Sequence, residues 1–191
     1  AVAMGRYAEA RPYLEEALAR SEALGGAWAA APTLTSLSLL AEREGDFSSA
    51  LELESRALET RRDVGDMAGV ASSLGNLAAI HGLLGDPSRS LALYEQALQI
   101  WEEVGDPLRL AAAHANLGMA LRALGNVEQA RAHYEKALKA YEPLGNPDEA
   151  GDALINMGTL LEGQGRVAEA RSHSERALAI YMKFRDAYGE I

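Results

Sequence analysis

Three asparagines, Asn76, Asn116 and Asn156, stand forty residues apart inside segments that otherwise read as helices. An amide is both donor and acceptor, so a regular row of them can pair with the N–H and C=O of an extended peptide while asking little of its side chains. Asn is also a poor residue for a helix interior, because its amide competes for nearby backbone groups. Two readings of the row stand side by side: a peptide-binding ladder, and a structural ladder in which each amide bonds the backbone of the adjacent repeat. Ser36 occupies the matching place one period earlier and shortens the row in either case.

Other chemistry is sparse. The four histidines are His81, His114, His133 and His173, and the chain has no Cys. His133 and His173 share a column on neighbouring repeats, but no carboxylate or thiol is spaced to complete a metal site, and no metal or cofactor is expected. His81 and His114 fall on core stripes. The glycines are helix stops rather than a phosphate-binding loop, no Ser–His–Asp set is indicated, and the Glu residues fall at solvent-facing columns. Trp28, Trp101, Tyr94, Tyr134, Tyr141 and Tyr181 recur at helical packing positions, which makes them core candidates. An enzyme is not expected.

The elements that position these residues follow from a repeat. Gly5, Gly45, Gly85, Gly125 and Gly165 are forty apart, with Gly25, Gly65, Gly105 and Gly145 midway between them. Ala17, Ala57, Ala97, Ala137 and Ala177 keep the same period, each followed by Leu. Between glycines the segments are rich in Ala, Leu, Glu and Arg with apolar residues three and four apart, the spacing of amphipathic helices. "GDP" at 85–87 and 105–107 and "GNP" at 145–147 place Gly past one helix end, Asp or Asn as the next N-cap and Pro in the first turn. Glu149, three residues after Asn146, completes a capping-box-like start. Each twenty-residue unit is therefore one helix and a tight turn, and two units make an antiparallel hairpin.

The expected organisation is a half repeat at 1–25, full repeats at 26–65, 66–105, 106–145 and 146–185, and a tail at 186–191. Residues 1–191 then form one all-α solenoid of about nine helices, each repeat touching only its neighbours. Pro32 is expected to interrupt the first helix of repeat one. The lone opening helix and the apolar Ile180, Tyr181, Met182, Phe184 and Tyr188 of the last one make both ends read as interrupted stacks, so the chain is expected to be a piece of something longer or to pack against another chain.

The stretch "NLGMALRALGNVEQARAHYEKALKAY", residues 116–141, resembles a tetratricopeptide repeat (TPR): Leu117 and Gly118 on the first helix, Gly125 in the turn, and Ala130, Tyr134 and Ala137 on the second. Asn76–Tyr94–Ala97 and Asn156–Ala170–Ala177 repeat the pattern. The period is forty rather than the ~34 of the usual repeat, similar to kinesin light chain and to bacterial signalling regulators. Leu74, His114 and Leu154 stand where the family carries a large aromatic residue. The resemblance implies a right-handed superhelix whose first-type helices line a concave groove, so that Asn76, Asn116 and Asn156 form a row along it. Similar arrays use such a row to hold an extended peptide.

Flanking groove positions are Ser72, Ala112 and Asp152 on one side of the row and Ala79, Met119 and Thr159 on the other, with Arg109 and Glu149 a further turn away. Asp148, Glu149, Asp152 and Glu162 favour a basic segment at the fourth hairpin. The carboxylate clamp of chaperone-binding TPR domains needs Lys and Asn where Gly75, Ala115, Ile155, Ala79, Met119 and Thr159 stand, and is absent.

Composition narrows the function classes. The chain has 191 residues, 28 acidic against 18 basic, a net charge of −10. That balance opposes the counterion release that drives nucleic-acid binding and the attraction to anionic lipid. No apolar run is long enough to span a membrane, and no signal segment opens the chain. The expectation is a non-catalytic, cytoplasmic scaffold that binds a protein or extended peptide. Alternatives are a regulatory or sensor segment of a larger transcription regulator or signalling ATPase, and a module that forms a homodimer through its uncovered terminal helices.

Overall fold

The computed structural model describes the backbone of residues 2–24 and 26–188, and the side-chain surroundings of 10–24, 26, 28–141 and 143–183. Among the described residues there are nine α-helices and no strand. The chain divides into two compact units, Ala1–Ile100 and Trp101–Ile191.

The first unit holds α1 (Val2–Ala23), α2 (Ala27–Glu44), α3 (Phe47–Asp63), α4 (Met67–Leu83) and most of α5 (Pro87–Val104). Helix α1 packs on α2, α2 pairs closely with α3, and α3 lies against α4. Ala41, Ala50 and Ile80 are almost fully buried at its centre, with Phe47, Leu51 and Leu53 packed around them. The second unit holds the end of α5, α6 (Pro107–Ala123), α7 (Val127–Leu144), α8 (Pro147–Gly163) and α9 (Val167–Tyr188). Helices α6 and α7 form one hairpin, α8 and α9 another, and α7 lies against α8. Ala111, Ala137, Tyr141, Ala150 and Ala153 make a core against which Leu138 and Ile180 pack. Alanines at these columns let the helix backbones approach closely, and the large side chains fill the space between hairpins.

Helices α2 to α8 each end for a local reason. Gly45, Gly65, Gly85, Gly105, Gly125, Gly145 and Gly165 all have φ between 65° and 82°, a left-handed conformation that side-chain-bearing residues rarely adopt. The N–H after the glycine then reaches back five residues, as from Asp46 to Ala41 O at 2.9 Å and from Asn126 to Leu121 O at 2.9 Å, which closes the helix end. The next helix opens on a cap. The Asp46 side chain accepts from Ser49 N at 3.1 Å, Asp66 from Gly69 N at 2.9 Å, and Asp106 from Arg109 N at 3.0 Å.

Two local expectations are corrected. Asn146 precedes α8 but its side chain makes no cap hydrogen bond, so no capping box forms with Glu149; Pro147, with its φ already set for a helix, opens α8 without it. Pro32 does not interrupt α2, which runs unbroken through it. Its missing N–H falls near the helix start on an exposed face, and its carbonyl gains a bond from Ser36 Oγ at 3.0 Å.

The aromatic residues divide. Tyr94, Trp101, Tyr134 and Tyr141 are buried, as expected. Trp28 is not core: it is 75% exposed on α2. Tyr13 and Leu24 are exposed as well, whereas Leu178 and Met182 of α9 are about half exposed. The tail from Phe184 onward lies outside the residues whose side chains are described.

Candidate functional site

Asn76, Asn116 and Asn156 all sit in the middle of first-type helices, α4, α6 and α8, but their surroundings differ. In the first unit Asn76 is tied down. Its Nδ2 donates to Glu54 Oε1 at 3.2 Å, and Glu54 is fully buried. That carboxylate also pairs with Arg61 Nη1 at 3.4 Å and accepts from Thr35 Oγ1 at 3.3 Å. Arg61 in turn donates to the buried Ser73 hydroxyl. Glu54 Oε2 is buried with no hydrogen-bond partner among the described residues. The Glu residues therefore do not all face solvent: burial of a carboxylate is costly, and three donors on one of its oxygens offset part of that cost.

Asn116 and Asn156 are half-buried. Neither side chain makes a hydrogen bond to another described residue, and α6 and α8 approach each other within the second unit. Met119 and Thr159, three residues further along the same helices, are exposed; Thr159 Oγ1 is occupied by Ile155 O at 3.0 Å.

The acidic start of α8 is partly engaged. Asp152 Oδ1 accepts from Tyr181 OH at 2.7 Å. Burial first, and then that bond and the Asp152 charge, push the Tyr181 phenol up to about 12. Burial, with the charges of Glu149 and Asp152, raises Tyr141 to about 12. Glu149 and Arg109 are exposed.

In the first unit Ser36 lines a cleft of about 200 Å³ with Ala10, Leu14, Leu39, Leu40 and Arg43. Leu39, at the column of Met119 and Thr159, is 51% exposed. Ser72 is half-buried, its hydroxyl bonded to Ala68 O at 3.0 Å.

The histidines also differ from expectation. His133 pairs not with His173 but with His114 across the α6–α7 hairpin, Nδ1 to Nδ1 at 3.2 Å. Desolvation, with the His133 and Lys136 charges, lowers His114 to about 4. His173 Nδ1 lies 2.9 Å from Glu169 O. It lines a second cleft of about 210 Å³ whose Arg166 is engaged bidentately by Glu169 at 2.6 and 2.7 Å. Among the described residues no group of three or more His, Cys, Asp or Glu could hold a metal ion, and no helix is long and apolar enough to cross a membrane.

Sequence reading missed the Glu54–Arg61 pair and the His114–His133 contact. The signal lay in the columns. Glu54 shares its place with Tyr94, Tyr134 and Ser174, and Arg61 with Trp101, Tyr141 and Tyr181. A charged residue in a column whose other members are uncharged and mostly aromatic marks a buried charge.

The sequence profile described as "Tetratricopeptide repeat" matches residues 1–63, 69–142 and 109–183. No curated protein sequence matches significantly. Among solved structures, BtubC (BKLC) from P. vanneervenii is similar at 25% identity and a TM-score of 0.82, over 98% of this chain and 77% of that one. The nearly identical TPR-like repeats of a Podosopora anserina protein assigned as a kinesin light chain match at 18% identity and a TM-score of 0.75, over 95% of this chain and 90% of that one. A Rap protein complexed with competence and sporulation factor matches at 17% identity and a TM-score of 0.71, over 80% of this chain but only 43% of its own length.

Proposed function

The chain belongs to the tetratricopeptide repeat family, and we propose from that premise that it is a non-catalytic, cytoplasmic scaffold binding an extended segment of a protein partner on its first-type helices. The observation that carries this reading is the pair of half-buried amides of Asn116 and Asn156, without partners among the described residues, on the adjacent helices α6 and α8. Met119, Thr159, Arg109 and Glu149 are the exposed neighbours that would give it selectivity, and Asp152 would favour a basic side chain at the α8 end. Within the first unit Ser36 and Ser72 are candidate contacts in their own right, with Leu39 offering an apolar contact at the Ser36 cleft, whereas the Asn76 amide is committed to Glu54. The Rap protein complexed with competence and sporulation factor is a precedent for a bound partner on a similar fold, although at its identity only the fold is shared.

The test is capture of partners by the wild-type chain and by Asn116→Ala/Asn156→Ala, with thermal melts of both. Loss of partners at an unchanged melting temperature supports the reading. Equal capture removes the two amides from the binding surface. A second reading, self-association, is favoured by Tyr13, Leu24 and Trp28, which are 75%, 85% and 75% exposed. A mass from light scattering that rises with concentration, and no longer rises in Tyr13→Ser/Trp28→Ser, would support it; a constant monomer mass would exclude it.

A further inference from the structure

We infer that His114 and His133 form a two-histidine site for a divalent transition-metal ion of the zinc type, which clamps α6 to α7. The two Nδ1 atoms face each other at 3.2 Å, and the rings meet edge-on with centroids 5.1 Å apart and planes at 64°. Two neutral imidazoles can hold that contact only by sharing one proton, with one Nδ1 donating and the other accepting. A metal ion can take the place of that proton, each ring then carrying its hydrogen on Nε2.

The spacing suits the exchange. Two nitrogens bound at the usual ~2.0–2.1 Å lie about 3.4 Å apart around a tetrahedral ion and about 2.9 Å apart at a right angle. The observed separation falls between those limits, and coordination would require both rings to turn until their Nδ1 lone pairs meet at one point. Both residues are half-buried, which leaves room for water to complete the coordination. Two imidazoles and water select zinc, copper or nickel over magnesium and calcium, which prefer oxygen ligands.

The column pattern points the same way. The positions of His114 and His133 are held by Leu34 and Leu53 in repeat one and by Leu74 and Leu93 in repeat two. Apolar packing therefore satisfies this place in the fold, and only the α6–α7 hairpin spends it on two imidazoles. The same comparison supplies variants with a native precedent for folding, His114→Leu and His133→Leu.

The full chain, free of an affinity tag and stripped with chelator, would be titrated with zinc chloride by calorimetry at neutral pH. The expected result is one zinc per chain, with a melting temperature that rises with zinc concentration, because a ion bound by the native state stabilises it. Both leucine variants should lose that site, and His173→Gln should keep it. Nitrogen NMR of the wild-type imidazoles gives an independent readout needing no variant: zinc should shift both Nδ1 signals of His114 and His133. Undiminished binding in the leucine variants, loss in His173→Gln, or no saturable binding by the wild type overturns the assignment.

Discussion

Five positions recur eighty residues apart and build opposite interiors. In the first unit Thr35, Glu54, Arg61, Ser73 and Asn76 form one polar network. In the second unit the matching residues are Ala115, Tyr134, Tyr141, Ala153 and Asn156. There the acid and its partners have become aromatic rings and alanines. The Tyr134 phenol is buried, and burial raises its pKa against the opposing pull of the nearby Arg122 guanidinium. Only the asparagine is common to both units. In one it serves a buried carboxylate, and in the other its amide is left open. Asn76 and Asn156 thus share a column but not a hydrogen-bonding environment, because only the first unit places a carboxylate within reach of the amide.

The largest effect should come from breaking the first unit's ion pair. Arg61→Ala leaves Glu54 charged and unpaired in the interior, at a cost of about 3–5 kcal/mol, read as a lower urea midpoint. Replacing both with apolar residues, Glu54→Leu/Arg61→Leu, should recover most of that loss or exceed the wild type, because it imports the second unit's apolar solution. If the double variant falls as far as the single one, the two interiors are not interchangeable solutions to one packing problem.

Next comes the close approach that the second unit's aromatic column requires. A Cβ on Gly118 would stand 2.6 Å from Tyr134 Cε1. Gly118→Ala should therefore destabilise by about 1–3 kcal/mol, overpacking outweighing the better helix propensity of alanine. Pairing it with Tyr134→Leu, which removes the ring, should restore the loss and show that the glycine serves the ring.

Alkaline unfolding gives a smaller effect. Tyr141 and Tyr181 are each raised to about 12 from 10 in the fold. A phenol with a raised folded value stabilises fully below pH 10 and loses that contribution as pH rises toward 12. For buried Tyr141 the loss should be about 1–2 kcal/mol after allowance for solvent screening. Tyr141→Phe should flatten that part of the pH dependence in melts between pH 9 and 12, windows set by these shifts. The smallest effect belongs to the surface: Arg171→Ala removes an exposed pair with Glu175 at 2.8 Å and should leave the melting temperature unchanged within the scatter of repeat melts.

The helices, their turns and the small-residue columns were legible because glycine, proline and alanine act locally and recur at a fixed interval. Pro32 misled because the cost of a proline depends on where in the helix it falls and which face it is on, and α2 absorbs it near its start. Trp28 misled because apolarity shows that a residue could be buried, not that another helix covers it. Glu54 escaped notice because a glutamate on a helix reads as solvent-facing until its column is compared with Tyr94 and Tyr134. The His114–His133 contact joins positions nineteen apart across a hairpin, and its ring geometry is set by packing rather than by spacing.

Paired thermal melts of Asn76→Ala and Asn156→Ala test the central contrast most directly. Asn76→Ala removes a donor from a buried carboxylate and should lower stability by about 1–2 kcal/mol, whereas Asn156→Ala should leave the melt within about 0.5 kcal/mol of wild type. Equal losses would make the row one structural ladder, and would contradict an amide held open for a partner.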